Sequence, residues 1–257
     1  MERARALIKP YVTMEGVIGV YVVGSATRPF RDPLSDYDFE VIMEDEAFAR
    51  VPAPQKLVFV MEEGPPRRVD HEFYLRPWGE LARLARSTLD LDHYPFQHAR
   101  VLHDPTGHLG ELVASLAMLP ESVRTTRMKV HYLEFRFGAG RAVKCLDRRG
   151  TLNANLVLGE AITGLVKLLF LARRSWPSTR HWSEEELKLL GVEPDLVMAV
   201  GDALSSPEKA RLQALAKEVD RFLDGLGETF HKNVQKLSQW AYLTDAGKRA
   251  FRRWGAR

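Results

Sequence analysis

Residues 17–43 read VIGVYVVGSATRPFRDPLSDYDFEVIM, and this stretch decides the fold. Val17 to Val23 is a run of β-branched and aromatic residues that stops at Gly24, the pattern of a buried strand closing in a turn. Asp36 to Met43 alternates polar and apolar residues before becoming fully apolar, which predicts a second strand. Alternate side chains of a strand share a face, so Asp36 and Asp38 project together while Tyr37 and Phe39 anchor the opposite face in a core. Mg²⁺ prefers oxygen ligands and usually takes one or two protein carboxylates, leaving its other positions to water and substrate phosphates. Asp36 and Asp38 therefore read as half of a site for Mg²⁺ and a nucleoside triphosphate.

The turn between the two strands supports the same chemistry. Gly24 lacks a Cβ, so the backbone there can approach phosphate oxygens, and amides at the start of a following helical turn can donate to them. Ser25 adds a hydroxyl donor, and Arg28 and Arg31 are near enough in sequence to neutralise a triphosphate. A third carboxylate is expected from the later strand Arg68 to Leu75, where Asp70 and Glu72 share a face. Asp70 is the first choice to complete the metal site or take a proton from the acceptor, with Glu72 in reserve.

Outward from this stretch, Leu57 to Met61 and Arg68 to Leu75 read as further strands, divided by Pro52, Pro54, Gly64, Pro65 and Pro66. A short strand at Ala99 to Leu102 precedes the turn Asp104-Pro105-Thr106-Gly107 and a helix from Leu109 to Met118. Beyond it, Ser122 to Leu146, Leu152 to Arg173 and Pro207 to Ala241 carry apolar residues at three- and four-residue spacing, with a break at Trp176-Pro177-Ser178. The expected fold is α+β: a mixed sheet with flanking helices over residues 1–110, then an all-α helical bundle over residues 111–257.

The chain has 257 residues, 37 basic and 34 acidic, for a net charge of +3. That mild surplus lacks the strong bias of a dedicated nucleic-acid binder and suits a small polyanionic ligand. Cys145 is the single cysteine, which excludes an intramolecular disulfide and a multi-cysteine zinc site and agrees with a reducing, cytoplasmic setting. The first residues lack the apolar core of a secretory signal. The most apolar segment, Ala161 to Ala172, contains Lys167 and is shorter than the roughly 18 to 20 residues that cross a bilayer, so no membrane span is expected.

Other residues read as structural. His93, His98, His103 and His108 recur every five residues, but no single face of a strand and turn gathers them as metal ligands. His71 neighbours Asp70, yet adjacent strand residues point to opposite faces, which argues against their cooperation. Gly138 and Gly140 lack the Gly-Lys-Ser/Thr ending of a phosphate-binding loop and read as helix-packing positions.

Gly24-Ser25, Asp36-Tyr37-Asp38 and Val69-Asp70-His71, in that order and at that spacing, resemble the DNA polymerase β-like nucleotidyltransferase superfamily. More loosely, Leu102 to Gly107 and Phe170 to Pro177 resemble bacterial aminoglycoside and lincosamide nucleotidyltransferase-like proteins, in which a helical domain follows the catalytic one. The resemblance implies metal binding at Asp36, Asp38 and Asp70, two Mg²⁺ ions, and phosphate contacts from Gly24 and Ser25. It also implies that Lys144, in the helical part, reaches the triphosphate. The activity so implied is ATP-dependent transfer of AMP to a hydroxyl of a small-molecule acceptor. The alternatives are a protein or RNA acceptor and a non-catalytic nucleotide-binding member.

Overall fold

The structure is a computed structural model that describes residues 1–32, 35–65 and 67–255. Its strands are β1 (Val17–Val23), β2 (Tyr37–Met43), β3 (Leu57–Met61), β4 (Val69–Pro77) and β5 (Arg100–His103). They form one sheet in the order β3-β4-β2-β1-β5. β2 and β4 run parallel and every other neighbouring pair is antiparallel, so the sheet is mixed. The expected strands are therefore present, with ends that differ by one or two residues at β2, β4 and β5.

Alternation along the strands divides the buried residues between two cores. On one face, Val20 and Val22 of β1, Phe39 and Val41 of β2, and Phe73 and Leu75 of β4 pack with Ala4 of α1 (Glu2–Leu7). Tyr11 of α2 (Lys9–Val12) stacks on Phe73 there, with ring centroids 4.0 Å apart, and Ala47 of α3 (Asp45–Arg50) joins the same core. On the other face, Tyr21, Val23 and Ile42 pack with Leu81 of α4 (Trp78–Leu84) and with Leu109, Val113 and Leu116 of α5 (His108–Ala117). Asp38, Glu40, Glu72 and Tyr74 alternate onto this second face.

The chain divides into two compact units, Met1–Met118 and Leu119–Arg257. The second is helical: α6 (Glu121–Asp147), α7 (Thr151–Ala172), α8 (Ser183–Leu189), α9 (Pro194–Ser205), α10 (Lys209–Gly225), α11 (Val234–Leu243) and α12 (Asp245–Trp254). A Cβ at Gly138 of α6 would stand 2.5 Å from the Ala161 Cβ of α7, and one at Gly164 would stand 3.2 Å from the Glu134 Cβ. The two longest helices thus run antiparallel and approach closely where their residues are small.

Two expectations for this half need correction. The apolar periodicity from Pro207 to Ala241 is broken into α10 and α11, because Gly227 turns the chain with φ +75°. The apolar stretch is also longer than Ala161 to Ala172: α7, which matches the helix expected from Leu152 to Arg173, has 22 residues with mean hydropathy 1.6 over its most apolar window, enough to cross a membrane by length and composition alone. Eleven of its residues, from Ala154 to Ala172, are buried, and Leu158, Ile162, Leu165, Leu168 and Leu169 belong to the core of the helical unit.

The Gly138–Ala161 contact leaves no room for a side chain. Gly138→Leu is expected to force α6 and α7 apart and lower stability by about 1–3 kcal/mol, the usual effect of overpacking. Urea unfolding followed by circular dichroism measures it; an unchanged midpoint contradicts the close approach.

Candidate active site

The turn after β1 is built around Gly24. Its φ of +73° and ψ of −162° lie where glycine alone sits without strain. A Cβ there would stand 1.7 Å from Oδ2 of Asp38, its neighbour on β2 being Val23's partner in register, so the carboxylate rests directly against the glycine backbone. A short 3-10 turn, Ser25–Thr27, follows. Thr27 Oγ1 donates to the Gly24 carbonyl at 2.9 Å and the Arg28 guanidinium donates to the same oxygen.

Arg28 is buried, with its guanidinium 4.6 Å from the centre of the Tyr94 ring. It therefore braces the turn and acts on Asp38 as a nearby positive charge. Arg31 is exposed and lies 4.2 Å over the Tyr37 ring. Ser25 is buried in the turn beside Gly24.

The parallel register of β2 and β4 places Asp38 beside Glu72. Burial, then the charges of Asp36 and Glu72, lift the Asp38 carboxyl to about 7, with Glu40 adding to the rise and Arg28 opposing it. Burial and then Asp36 and Glu40 raise Glu72 as well. Asp36, Asp38 and Glu72 thus form one mutually repelling group.

Asp70, the first choice of the sequence reading, stands apart from that group. Arg3 of α1 donates to both of its oxygens at 2.6 and 2.7 Å, and His71 donates from Nδ1 at 2.7 Å. Burial pushes the Asp70 carboxyl up, but the bonds from His71 and Arg3 outweigh it and hold it below the ordinary range. The reading that Asp70 and His71 do not cooperate is corrected too. At the start of β4 the Asp70 side chain is drawn to Arg3, and α1 packs on the Phe39–Phe73 face that His71 also occupies.

The sequence reading missed a second internally paired carboxylate, Glu40 on β2. Tyr21 donates to Glu40 Oε2 at 2.6 Å, Arg76 Nε pairs with the same oxygen at 2.8 Å, and Arg76 also meets Glu80 at 3.2 Å. Glu40 sits in the alternation Asp36, Asp38, Glu40, but its partners come from β1 and β4, and only the register brings them together.

Asp36, Asp38 and Glu72 suit a hard cation. They are oxygen donors, their repulsion is incompletely compensated by protein charges, and the missing Cβ of Gly24 gives the Asp38 carboxylate its place against the turn. Among the described residues, no three His, Cys, Asp or Glu side chains already close around a single ion position. Lys144 lies exposed in the last turn of α6, in the second unit.

Residues 91–183 match a family described as a domain of unknown function, DUF4037. That segment excludes Gly24, Asp36, Asp38 and Glu72. No curated protein matches the chain. Among solved structures, a nucleotidyltransferase-like protein from Exiguobacterium sibiricum 255-15 is similar over 97% of this chain and 77% of its own, with 16% identity and a TM-score of 0.47.

The raised Asp38 carboxyl fixes the sign of a pH effect. A carboxyl whose pKa is higher in the folded than in the unfolded chain favours folding while protonated. That contribution is full below the ordinary aspartate value, declines as pH rises, and is lost above about 7. Asp38→Asn is therefore expected to be more stable than the parent at pH 8, by about 1–3 kcal/mol, and equal to it near pH 4. Thermal unfolding of both proteins across this range, without divalent cations, is the measurement; a variant less stable at pH 8 contradicts the assignment.

Proposed function

We propose that this chain is a metal-dependent nucleotidyltransferase that moves AMP from ATP to a hydroxyl group of a small molecule. One observation carries the reading: Asp38 of β2 lies beside Glu72 of β4 with its carboxylate against the backbone of Gly24. The arrangement joins an anionic oxygen cluster to a glycine turn, the two parts needed to hold a cation and the phosphates it accompanies. The ordered Gly24-Ser25 and Asp36-Tyr37-Asp38 motifs support the same class. The small net charge favours a small acceptor over RNA.

In this reading Asp36, Asp38 and Glu72 hold Mg²⁺, which when bound supplies neutralisation of phosphate charge and alignment of the reacting oxygens. Gly24 admits the triphosphate to the backbone of the turn, and Ser25 contributes a hydroxyl beside it. Arg28 keeps the turn in shape through the Gly24 carbonyl, and exposed Arg31 offers its charge to the outer phosphates. A bond forms between the acceptor oxygen and the α-phosphorus as the bond to the pyrophosphate oxygen breaks. The acceptor's proton passes to a carboxylate of the cluster. Asp70, committed to Arg3 and His71, has the role of fastening α1 to the sheet.

Two measurements test the reading. Calorimetric titration of ATP is expected to show binding that requires Mg²⁺ in the parent and loses that requirement in the Asp36→Asn, Asp38→Asn double variant. Pyrophosphate release with a panel of hydroxylated small molecules is expected to fall by on the order of 100-fold in Glu72→Gln, while Asp70→Asn stays within a few fold. No triphosphate binding in any metal condition overturns the function; the reverse order of the two single variants overturns the place of Glu72 in it.

A further inference from the structure

β3 is an edge strand, bonded only to β4. Its sequence, Leu57-Val58-Phe59-Val60-Met61, carries no charge and no proline, and Leu57, Phe59, Val60 and Met61 are 44%, 52%, 38% and 43% exposed. Exposed edges are ordinarily blunted by charge, proline or shortness, because their free N–H and C=O groups invite another strand. The opposite edge follows that rule: β5 is four residues long and bears Arg100 and His103 at its ends. β3 has neither charge nor proline within it; its one irregularity is a register shift against β4 between Val60 and Met61.

The backbone of β3 is set for pairing. Lys56 accepts from Leu75 through its carbonyl and Glu62 donates its N–H to Arg68, both toward β4. Because N–H and C=O alternate sides along a strand, Leu57 and Phe59 turn theirs outward.

The ends of the strand show which partner fits. The stretch reads Lys56, five apolar residues, then Glu62 and Glu63. When two copies are laid antiparallel about Phe59, Phe59 faces Phe59, Leu57 faces Met61, Val58 faces Val60, and each Lys56 falls opposite the other copy's Glu62. Charge and apolar surface are both self-complementary, as a two-fold interface requires.

We propose that two copies of this chain associate by antiparallel pairing of β3 with β3, joining their five-stranded sheets into one. The interface extends the sheet face that carries the carboxylates, since Phe59 is the cross-strand neighbour of Glu72. A five-residue strand makes a short interface, so the dissociation constant is on the order of 10 µM.

Sedimentation velocity on the full chain, at concentrations about tenfold below and above that value, tests the proposal. The parent is expected to shift from monomer to dimer. Glu62→Lys, at an exposed strand end, and Lys56→Glu, at a half-buried one where the ammonium lies 3.9 Å from the centre of the Phe48 ring, each place like charges opposite one another and are expected to weaken association about tenfold. The double variant restores opposite charges and is expected to recover parental association. Circular dichroism confirms that each variant is folded. A parent that stays monomeric overturns the proposal, as does a dimer indifferent to the single changes or a double variant that fails to recover.

Discussion

Like charges held side by side are the constraint on which the first unit depends. Asp38 and Glu72 occupy neighbouring positions of two parallel strands, and Asp36, just before β2, and Glu40, within it, add their charges to Asp38. Two charges 4 Å apart repel by about 1 kcal/mol in water and by several times that where solvent is partly excluded. Something must hold the strands in register against this. The opposite face does so: Phe39, Val41, Phe73 and Leu75 are buried together, and each such side chain contributes about 1.5–3 kcal/mol. A one-residue slip would carry these apolar side chains to the charged face, so the core and the carboxylate cluster specify the same register.

Two carboxylates on one strand face have different outcomes, and the difference separates structure from chemistry. Glu40 is met at hydrogen-bond distance by Tyr21 and Arg76, which satisfy its oxygens even though burial still lifts its carboxyl above the ordinary range. Asp38 has the positive charge of Arg28 nearby, but burial and three acidic neighbours outweigh it. The fold thus settles one acid internally and leaves the other short of positive charge, beside a glycine whose missing Cβ gives Asp38 the space it occupies. A buried pair such as Glu40–Arg76 adds little net stability but penalises other arrangements of its strands.

Much of this unit was legible in the sequence because its cause is local. Two-residue alternation gave the shared face of Asp36 and Asp38, and a β-branched run ending at Gly24 gave β1 and its turn. The choice between Asp70 and Glu72 was not legible. Alternation puts both on one face, and the outcome turns on Arg3, 67 residues earlier, which draws Asp70 toward α1, and on the β2–β4 register, which sets Glu72 beside Asp38. The same applies to Glu40, whose partners Tyr21 and Arg76 lie 19 and 36 residues away. In the helical unit, apolar spacing gave α6 and α7, but it reads straight through the glycine turn that separates α10 from α11.

The family match and the carboxylate motif fall on separate stretches, 91–183 and 24–72, so neither signal depends on the other. The fold joins them nonetheless. β5, within the matched segment, is hydrogen-bonded to β1, with Val101 opposite Tyr21 and Arg100 opposite Val22, close to the end that carries Gly24. Tyr94, also within it, receives the Arg28 guanidinium that holds the Gly24 carbonyl. The matched segment therefore begins by bracing the glycine turn from one side, while β2 and β4 supply the acids from the other. A substitution at Tyr94 would reach Asp38 through Arg28 and Gly24.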